Sequence, residues 1–321
     1  MDGTMPKIRP RFIELCCGAG GMTLGFIQAN WDCVFGLDND KDACETFVHN
    51  LQVPAIRASV HDVSFHTPVD ALVAGFPCVS HSLSGKRRGL ADPRGQVVYG
   101  VLRIAKEILP RFLVFENVPG LISSPDADGE KGGALSYIVE EMMALGYTVE
   151  YDVLDSNDYG IGQKRNRLFI VGAIDGQRWV KPPPDEEKRV VYDELFDLLG
   201  EEVDLPNHEK MKHRSDTEIR LADLKPGESL YANFSESWKR LSLDAPAPTQ
   251  KENHGGLNVH PLEPRCITAR EMARLQGFPD DFEFLGSKSS VLQQIGNAVP
   301  VPLARAVAAS IISLMEASNG S

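Results

Sequence analysis

The residues best suited to chemistry stand at the ends of apolar runs. Glu14-Leu15-Cys16-Cys17-Gly18-Ala19-Gly20-Gly21 is a glycine-rich turn between a strand-like run and a helix-like one. Such a turn lets a ligand approach backbone amides at a helix N-terminus. The third glycine position of a dinucleotide fingerprint holds Thr23, so on its own the run reads equally as a tight turn. Asp38 ends the next apolar run, where a bound nucleoside needs a carboxylate for its ribose; the plain alternative is a solvated acid at a strand end. Cys78, in Gly75-Phe76-Pro77-Cys78-Val79-Ser80, leaves another run and precedes Lys86-Arg87-Arg88. Cationic neighbours and loop amides lower a thiol's pKa and favour the nucleophilic thiolate. Cys33 and Cys44, by contrast, read as small apolar core residues. Glu116 closes Phe112-Leu113-Val114-Phe115, and a carboxyl desolvated by such neighbours titrates high and can donate a proton. In Gln163-Lys164-Arg165-Asn166-Arg167 the alternation puts Arg165 and Arg167 on one strand face, although basic residues at a strand entrance are usually solvated.

Positioning these groups requires a sheet. Strand-like runs occur at Phe12–Cys16, Cys33–Leu37, Ala71–Ala74, Phe112–Phe115, Thr148–Leu154 and Leu168–Ala173. Amphipathic stretches at Thr23–Ala29, Ala43–Leu51, Val97–Ile108 and Leu135–Leu145 separate several of them. The alternation predicts an α/β fold, a mostly parallel sheet with helices on both faces. Ligands of such sheets bind outside the carboxyl ends of the strands, so the glycine turn, Asp38, Pro77-Cys78 and Glu116-Asn117 are expected at one edge. After Lys181-Pro182-Pro183-Pro184 the chain turns charged and irregular until about Pro264, which reads as a small, loop-rich second domain. Thr268-x-x-Glu271 is a capping box opening a helix; a further helix is expected over about Ser290–Ile295, and an apolar one from about Pro302 to Met315 packed against the first domain.

Composition bounds the class. The 321 residues are 42% hydrophobic and 24% charged, ordinary for a soluble globular protein of one large domain or two unequal ones. Pro300, Pro302 and Arg305 interrupt the most apolar stretch, and no signal-like segment precedes Arg11, so neither a membrane span nor secretion is expected. Six cysteines without a CxxC pair fit a reduced compartment. The formal net charge of −12 has the wrong sign for a protein that coats nucleic acid. Nine of the acids crowd into Asp185–Asp204, however, so a phosphate-binding surface elsewhere stays open.

Taken together these motifs resemble the DNA (cytosine-5)-methyltransferase family, in its small bacterial or phage form. Cys16–Gly21 resembles the family's first S-adenosylmethionine motif, and Gly75-Phe76-Pro77-Cys78 its catalytic-cysteine motif, with Ser84-Gly85 and Asp92-Pro93-Arg94-Gly95 following in that loop. Glu116-Asn117-Val118 resembles the catalytic-glutamate motif and Gln163-x-Arg165-x-Arg167 the paired-arginine motif. Arg270-Glu271-x-x-Arg274-Leu275-Gln276-Gly277-Phe278-Pro279 and Gln294-Ile295-Gly296-Asn297-Ala298-Val299 resemble the two C-terminal motifs, all in family order.

The resemblance implies an S-adenosylmethionine-dependent methyltransferase fold. Residues 1–180 would form the catalytic domain, completed by a C-terminal helix over 298–318; 181–264 would be the target-recognition domain, and 265–297 the hinge with the C-terminal motifs. It implies that the Cys78 thiolate adds to C6 of a flipped-out cytosine, that Glu116 holds and protonates the N3/N4 edge, and that Arg167 binds O2 with Arg165 beside it. Methyl transfer to C5, loss of the C5 proton to water and release of the thiol complete the cycle. The implied cofactor contacts are Glu14, Leu15, Cys16, Gly18, Ala19, Gly20, Gly21, Asp38, Asn39, Asp62, Val63, Phe76, Pro77, Val97, Asn297 and Ala298. The implied DNA contacts are Ser80, Ser82, Ser84, Lys86, Arg87, Arg88, Arg94 and Gln163, in and beyond a loop that closes over the base. No metal is called for. Cys16 and Asn39 stand where the family commonly has aromatics against the cofactor adenine, which removes stacking surface; Phe12 and Phe76 are near in sequence. The acidic Asp185–Asp204 run is expected to point away from the duplex.

The expected partner is double-stranded DNA, with a companion restriction enzyme as a genomic rather than physical associate. A cytoplasmic, nucleoid-associated monomer is the default. Two alternatives remain beside this reading: the same chemistry on tRNA, and a catalytically silent DNA-binding relative. The joint presence of Cys78, Glu116 and Arg167 speaks against the latter. A dinucleotide-dependent oxidoreductase explains neither Pro77-Cys78 nor the paired arginines.

Overall fold

The computed structural model describes residues 9–77, 96–199, 203–231, 238–251 and 257–319. Its strands are β1 (Arg11–Leu15), β2 (Asp32–Asp38), β3 (Ala55–Arg57), β4 (Ala71–Gly75), β5 (Phe112–Asn117), β6 (Thr148–Asp155) and β7 (Asn166–Ala173). β1, β4 and β5 are apolar on both faces, which suits strands covered on both sides. They form the middle of a seven-stranded sheet ordered β3-β2-β1-β4-β5-β7-β6. All pairings are parallel except those of β7 with β5 and β6. The expected α/β class and mostly parallel sheet are thus borne out. β3 escaped the sequence reading because it is only three residues long and mostly exposed.

The helices are α1 (Gly21–Gln28), α2 (Lys41–Leu51), α3 (Val97–Ile108), α4 (Gly133–Ala144), α5 (Val191–Leu195), α6 (Ser215–Ala222), α7 (Ala269–Arg274), α8 (Lys288–Asn297) and α9 (Val301–Asn319). Strand alternation divides the core. Ile13, Leu15, Leu72, Leu113 and Phe115 pack with α3 and α4. Phe12, Val73, Val114 and Phe169 pack on the other side with α1 and α9. Trp31, completely buried there, donates from Nε1 to the Ala308 carbonyl at 3.2 Å and so pins α9 to the sheet layer. By length and composition alone, Lys288–Ala317 is apolar enough to cross a membrane. It is broken between α8 and α9, however, and Leu303, Val307 and Ile311 are buried in the core.

Between Lys181 and Pro264 the described residues contain α5, α6 and isolated bridges but no strand of the sheet. A buried guanidinium organises much of this segment. Arg240 donates from Nη1 to the carbonyls of His260 (2.9 Å) and Pro261 (3.0 Å), and from Nη2 to that of Leu221 (2.5 Å). Part of the acidic run is consumed internally: Glu194 accepts from the Gly162 amide at 2.9 Å, Asp193 from the Val190 amide at 2.8 Å, and Asp197 pairs with Arg274.

The segment joins α7 through a buried ion pair, Arg265 Nη1 and Nη2 to the two oxygens of Glu271 at 2.9 and 2.7 Å. Glu271 also closes the anticipated capping box: its Oε2 accepts from the Thr268 amide at 2.7 Å while Thr268 Oγ1 accepts from the Glu271 amide at 3.1 Å. Burial raises the Glu271 pKa, but Arg265 and the Thr268 amide outweigh it and hold the carboxyl below its ordinary range. Removing one partner of such a pair leaves a buried charge uncompensated. Arg265→Met is therefore expected to cost about 3–5 kcal/mol in urea denaturation; a loss below about 1 kcal/mol would show that the pair contributes no more than a surface one.

Candidate active site

The parallel register brings the carboxyl ends of β1, β2, β4 and β5 to one edge, where they present the glycine turn, Asp38, Phe76-Pro77 and Glu116-Asn117. The turn is tightly wound, with Cys16, Gly18 and Gly20 at φ of 56°, 52° and 95°. It is latched to β2 by Cys17 N donating to Leu37 O at 3.0 Å and Gly18 N donating to Asp38 Oδ2 at 2.8 Å. A Cβ built on Gly18 meets nothing within 4 Å, so this side of the turn is open, and no side chain caps the N-terminus of α1. An open amide turn with a carboxylate beside it fits the adenosyl group of S-adenosylmethionine. Burial raises the Asp38 pKa, with the amides of Asp40 and Gly18 opposing.

Of the remaining expected cofactor residues, Ala298 approaches the turn, its Cβ 3.1 Å from a Cβ built on Gly21. Asn39 and Asp62 are exposed, whereas Val63, Val97 and Ala298 are half-buried. Asn297 and Pro77 are exposed, and Leu15 and Ala19 are buried. Arg103, which the sequence reading passed over, donates to the carbonyls of Val60 at 2.8 Å and Val63 at 2.5 Å and so fixes the loop carrying Asp62. Phe12 packs against Phe26 and Trp31 on the far face of the sheet, which removes it as a substitute for a stacking aromatic. Phe76 is buried edge-on against Phe115 at 5.8 Å. Glu14 lies beneath the turn, nearly fully buried and accepting a hydrogen bond from Thr23 Oγ1. Its carboxyl therefore supports the turn from below, not at the open face.

Glu116 stands opposite Gly75 in the β4–β5 register, three residues before Cys78 on the neighbouring chain. It is buried and paired with Arg167 Nε at 2.8 Å. Burial raises its pKa more than Arg167 and Arg165 lower it, so the carboxyl retains its proton more readily than an ordinary glutamate. Asn117, named with Glu116 in the motif, donates to Phe76 O at 2.9 Å and accepts from the Val118 amide at 2.9 Å, fixing the chain as it leaves β4. Cys78, Ser80, Ser82, Ser84, Lys86, Arg87, Arg88 and Arg94 lie outside the described residues. Among the described cysteines, burial pushes Cys44 up to about 11 and Cys33 higher still, in keeping with core residues.

The Gln163 expectation is corrected, and Arg165, although near Arg167 and Glu116, is held by other partners. It lies just before β7, almost fully buried, and donates to Gln250 O at 2.5 Å and Gly296 O at 2.6 Å. Its hydrogen bonds make it a strut between segments, and of the two arginines only Arg167 reaches Glu116. Gln163 is not on a DNA-facing surface. It is completely buried, donating to Leu275 O at 2.7 Å and Gln276 Oε1 at 2.9 Å and accepting from the Gln250 amide at 2.8 Å. A residue with every amide group engaged inside the protein has none left for a phosphate or base.

Burial pushes the Glu14 carboxyl from 4.5 up to about 8, with Thr23 opposing and Asp38 and Glu116 adding to the rise. A carboxyl raised on folding contributes stability that is full below its unfolded pKa and lost as pH climbs through the folded one. Glu14→Gln removes this titration while keeping the shape. The melting-temperature advantage of the variant over the wild type is expected to widen as pH rises from 4.5 to about 8; a constant difference across that range would contradict a raised Glu14 pKa.

The family model for C-5 cytosine-specific DNA methylases matches residues 10–313. A Type II methyltransferase of Psychrobacter sp. (strain TA137), M.PspPI, is 36% identical over 95% of this chain and 80% of its own length. The Escherichia coli Type II methyltransferase M.Eco47II is 35% identical over 96% of this chain and 80% of its own. A solved structure of a DNA modification methyltransferase encoded within an E. coli prophage superposes with a TM-score of 0.82, covering 96% of this chain and 99% of that one, at 23% identity. That last likeness bears on the fold alone. On the family match and these relatives together, the chain belongs to the C-5 cytosine-specific DNA methylases.

Proposed function

We propose that the head of the sheet methylates cytosine C5 in duplex DNA with Cys78 as nucleophile, Glu116 as proton donor and Arg167 as the group that binds the base and steadies Glu116. The observation that carries these assignments is the buried Glu116–Arg167 pair, at 2.8 Å, opposite the strand end that leads to Cys78. Cytosine C5 is a weak nucleophile. Addition of the Cys78 thiolate to C6 makes C5–C6 a single bond and shifts the electron pair into an enamine across C4–C5, and proton donation from Glu116 at N3 keeps negative charge off the ring. The burial that raises the Glu116 pKa keeps the group protonated for this role, and Arg167 limits the rise so that the proton can pass to N3, which returns it to Glu116 when the thiol is eliminated. When bound, S-adenosylmethionine supplies the methyl group as an electrophile. Water takes the C5 proton, the C5–C6 double bond re-forms, and the Cys78 thiolate leaves.

The glycine turn, Asp38, the Asp62–Val63 loop, Phe76, Val97 and Asn297–Ala298 are the cofactor cradle in this reading, with Arg103 and Glu14 supporting it from behind. Residues 181–264 form the target-recognition domain. Ser80, Ser82, Ser84, Lys86, Arg87, Arg88 and Arg94 belong to the loop that contacts the duplex around a flipped-out base. Kinship with Type II methyltransferases supports a role in marking DNA against a companion restriction enzyme; a monomer acting in the cytoplasm completes the reading.

The test is transfer of labelled methyl from S-adenosylmethionine to unmethylated duplex DNA, with tRNA in parallel. We expect label in DNA, none in Cys78→Ser, and a fall of about 10²–10⁴-fold in Glu116→Gln. Label confined to tRNA would overturn the substrate, and undiminished transfer by Cys78→Ser would overturn the nucleophile.

A further inference from the structure

A closed ring of buried hydrogen bonds joins parts of the chain that are remote in sequence. Both backbone groups of Gln250, in the proposed recognition domain, are held at the entrance to β7: its amide donates to Gln163 Oε1 at 2.8 Å and its carbonyl accepts from Arg165 Nη1 at 2.5 Å. Gln163 Nε2 donates onward to Gln276 Oε1 at 2.9 Å, and Gln276 Nε2 donates to Ile295 O at 2.8 Å. The next carbonyl, Gly296 O, accepts from Arg165 Nη2 at 2.6 Å and closes the ring. Gln163 and Gln276 are completely buried, and Arg165 and Gln250 nearly so.

The segment this ring grips from two sides is the one that backs the glycine turn. A Cβ on Gly21 would lie 2.7 Å from Val299 O and 3.1 Å from Ala298 Cβ, so the two chains touch without a side chain between them. The backbone amide of Val301 donates to Gln276 O at 2.9 Å, which adds a hold just beyond. Satisfied buried amides fix one orientation, because any rotation leaves donors and acceptors unpaired in a site of low dielectric.

We propose that Gln163 and Gln276 are positioning residues for cofactor binding, their amides setting residues 295–298 against the glycine turn and registering that turn with the recognition domain at Gln250. The inference rests on the cofactor reading of the turn. Neither residue touches the cofactor in it; each acts through the backbone it holds.

The test is equilibrium binding of S-adenosylhomocysteine, with duplex DNA binding measured alongside. Wild type is expected to bind S-adenosylhomocysteine. Gln276→Met, or the milder Gln276→Asn that withdraws the amide by one methylene, weakens that binding about tenfold, the size expected for a lost buried hydrogen bond. Gln163→Met weakens both the cofactor analogue and duplex DNA, because it releases Gln250 as well. The Gln163→Met/Gln276→Met double variant binds the analogue about as weakly as the poorer single, since both sit on one path. In turnover, KM for S-adenosylmethionine rises with the dissociation constant while kcat stays within about twofold.

Tyr147→Phe is the control. It loses a buried hydrogen bond to Pro110 O, 2.5 Å long, elsewhere in the core, and should leave analogue binding within about twofold of wild type. Unchanged binding in the glutamine variants would overturn the inference alone, as would equal weakening in Tyr147→Phe. A wild-type chain without affinity for S-adenosylhomocysteine would overturn the cofactor reading and this inference with it.

Discussion

A carboxyl group buried against a guanidinium is the interaction on which the candidate site depends. Glu116 sits on β5, every residue of which is buried, and Arg167 faces it at 2.8 Å. Isolated in an interior, the acid would be neutral at all working pH values, and fully paired in water it would be ionised throughout. Its environment lies between these limits, and maintaining it takes both cover and compensating charge. The cover comes from the sheet's central strands and their two helical layers. The compensation comes first from Arg167 and, without a hydrogen bond, from the nearby guanidinium of Arg165, whose own burial is offset by the carbonyls of Gln250 and Gly296. The two halves of the chain are therefore joined at the point where the site most needs electrostatic support.

Much of this was legible in the sequence because chemistry-bearing residues directly follow apolar runs. In a parallel sheet, position at the end of such a run specifies position at the functional edge. Asp38, Glu116 and the glycine turn were located in this way, and the Thr268–Glu271 capping box was readable because its spacing is local. Partners remote along the chain were not legible. Arg165 meets carbonyls 85 and 131 residues away, and Gln163 meets Gln276 at a separation of 113, so nothing near either residue distinguishes a strut from a ligand contact. The family motif carried Gln163 toward DNA, and its burial reverses that assignment.

The acidic stretch offers a related lesson about charge counted along a sequence. Glu194, Asp193 and Asp197 each have a specific internal partner, so the run contributes less free negative surface than its composition suggests. For a protein whose partner is a polyanion, what repels is the charge left over after such pairing.

Trp31 and Ala308, in contact through one hydrogen bond, are 277 residues apart. Until α9 emerges from the ribosome, the cluster of Phe12 on β1, Phe26 on α1 and Trp31 lacks the cover of Leu303, Val307 and Ile311. At ordinary rates of synthesis that interval lasts about 15–55 s. The aromatic surface therefore waits for its last cover far longer than a small domain takes to fold. The same delay postpones formation of the cofactor cradle, because the segment behind the glycine turn is synthesised just ahead of α9.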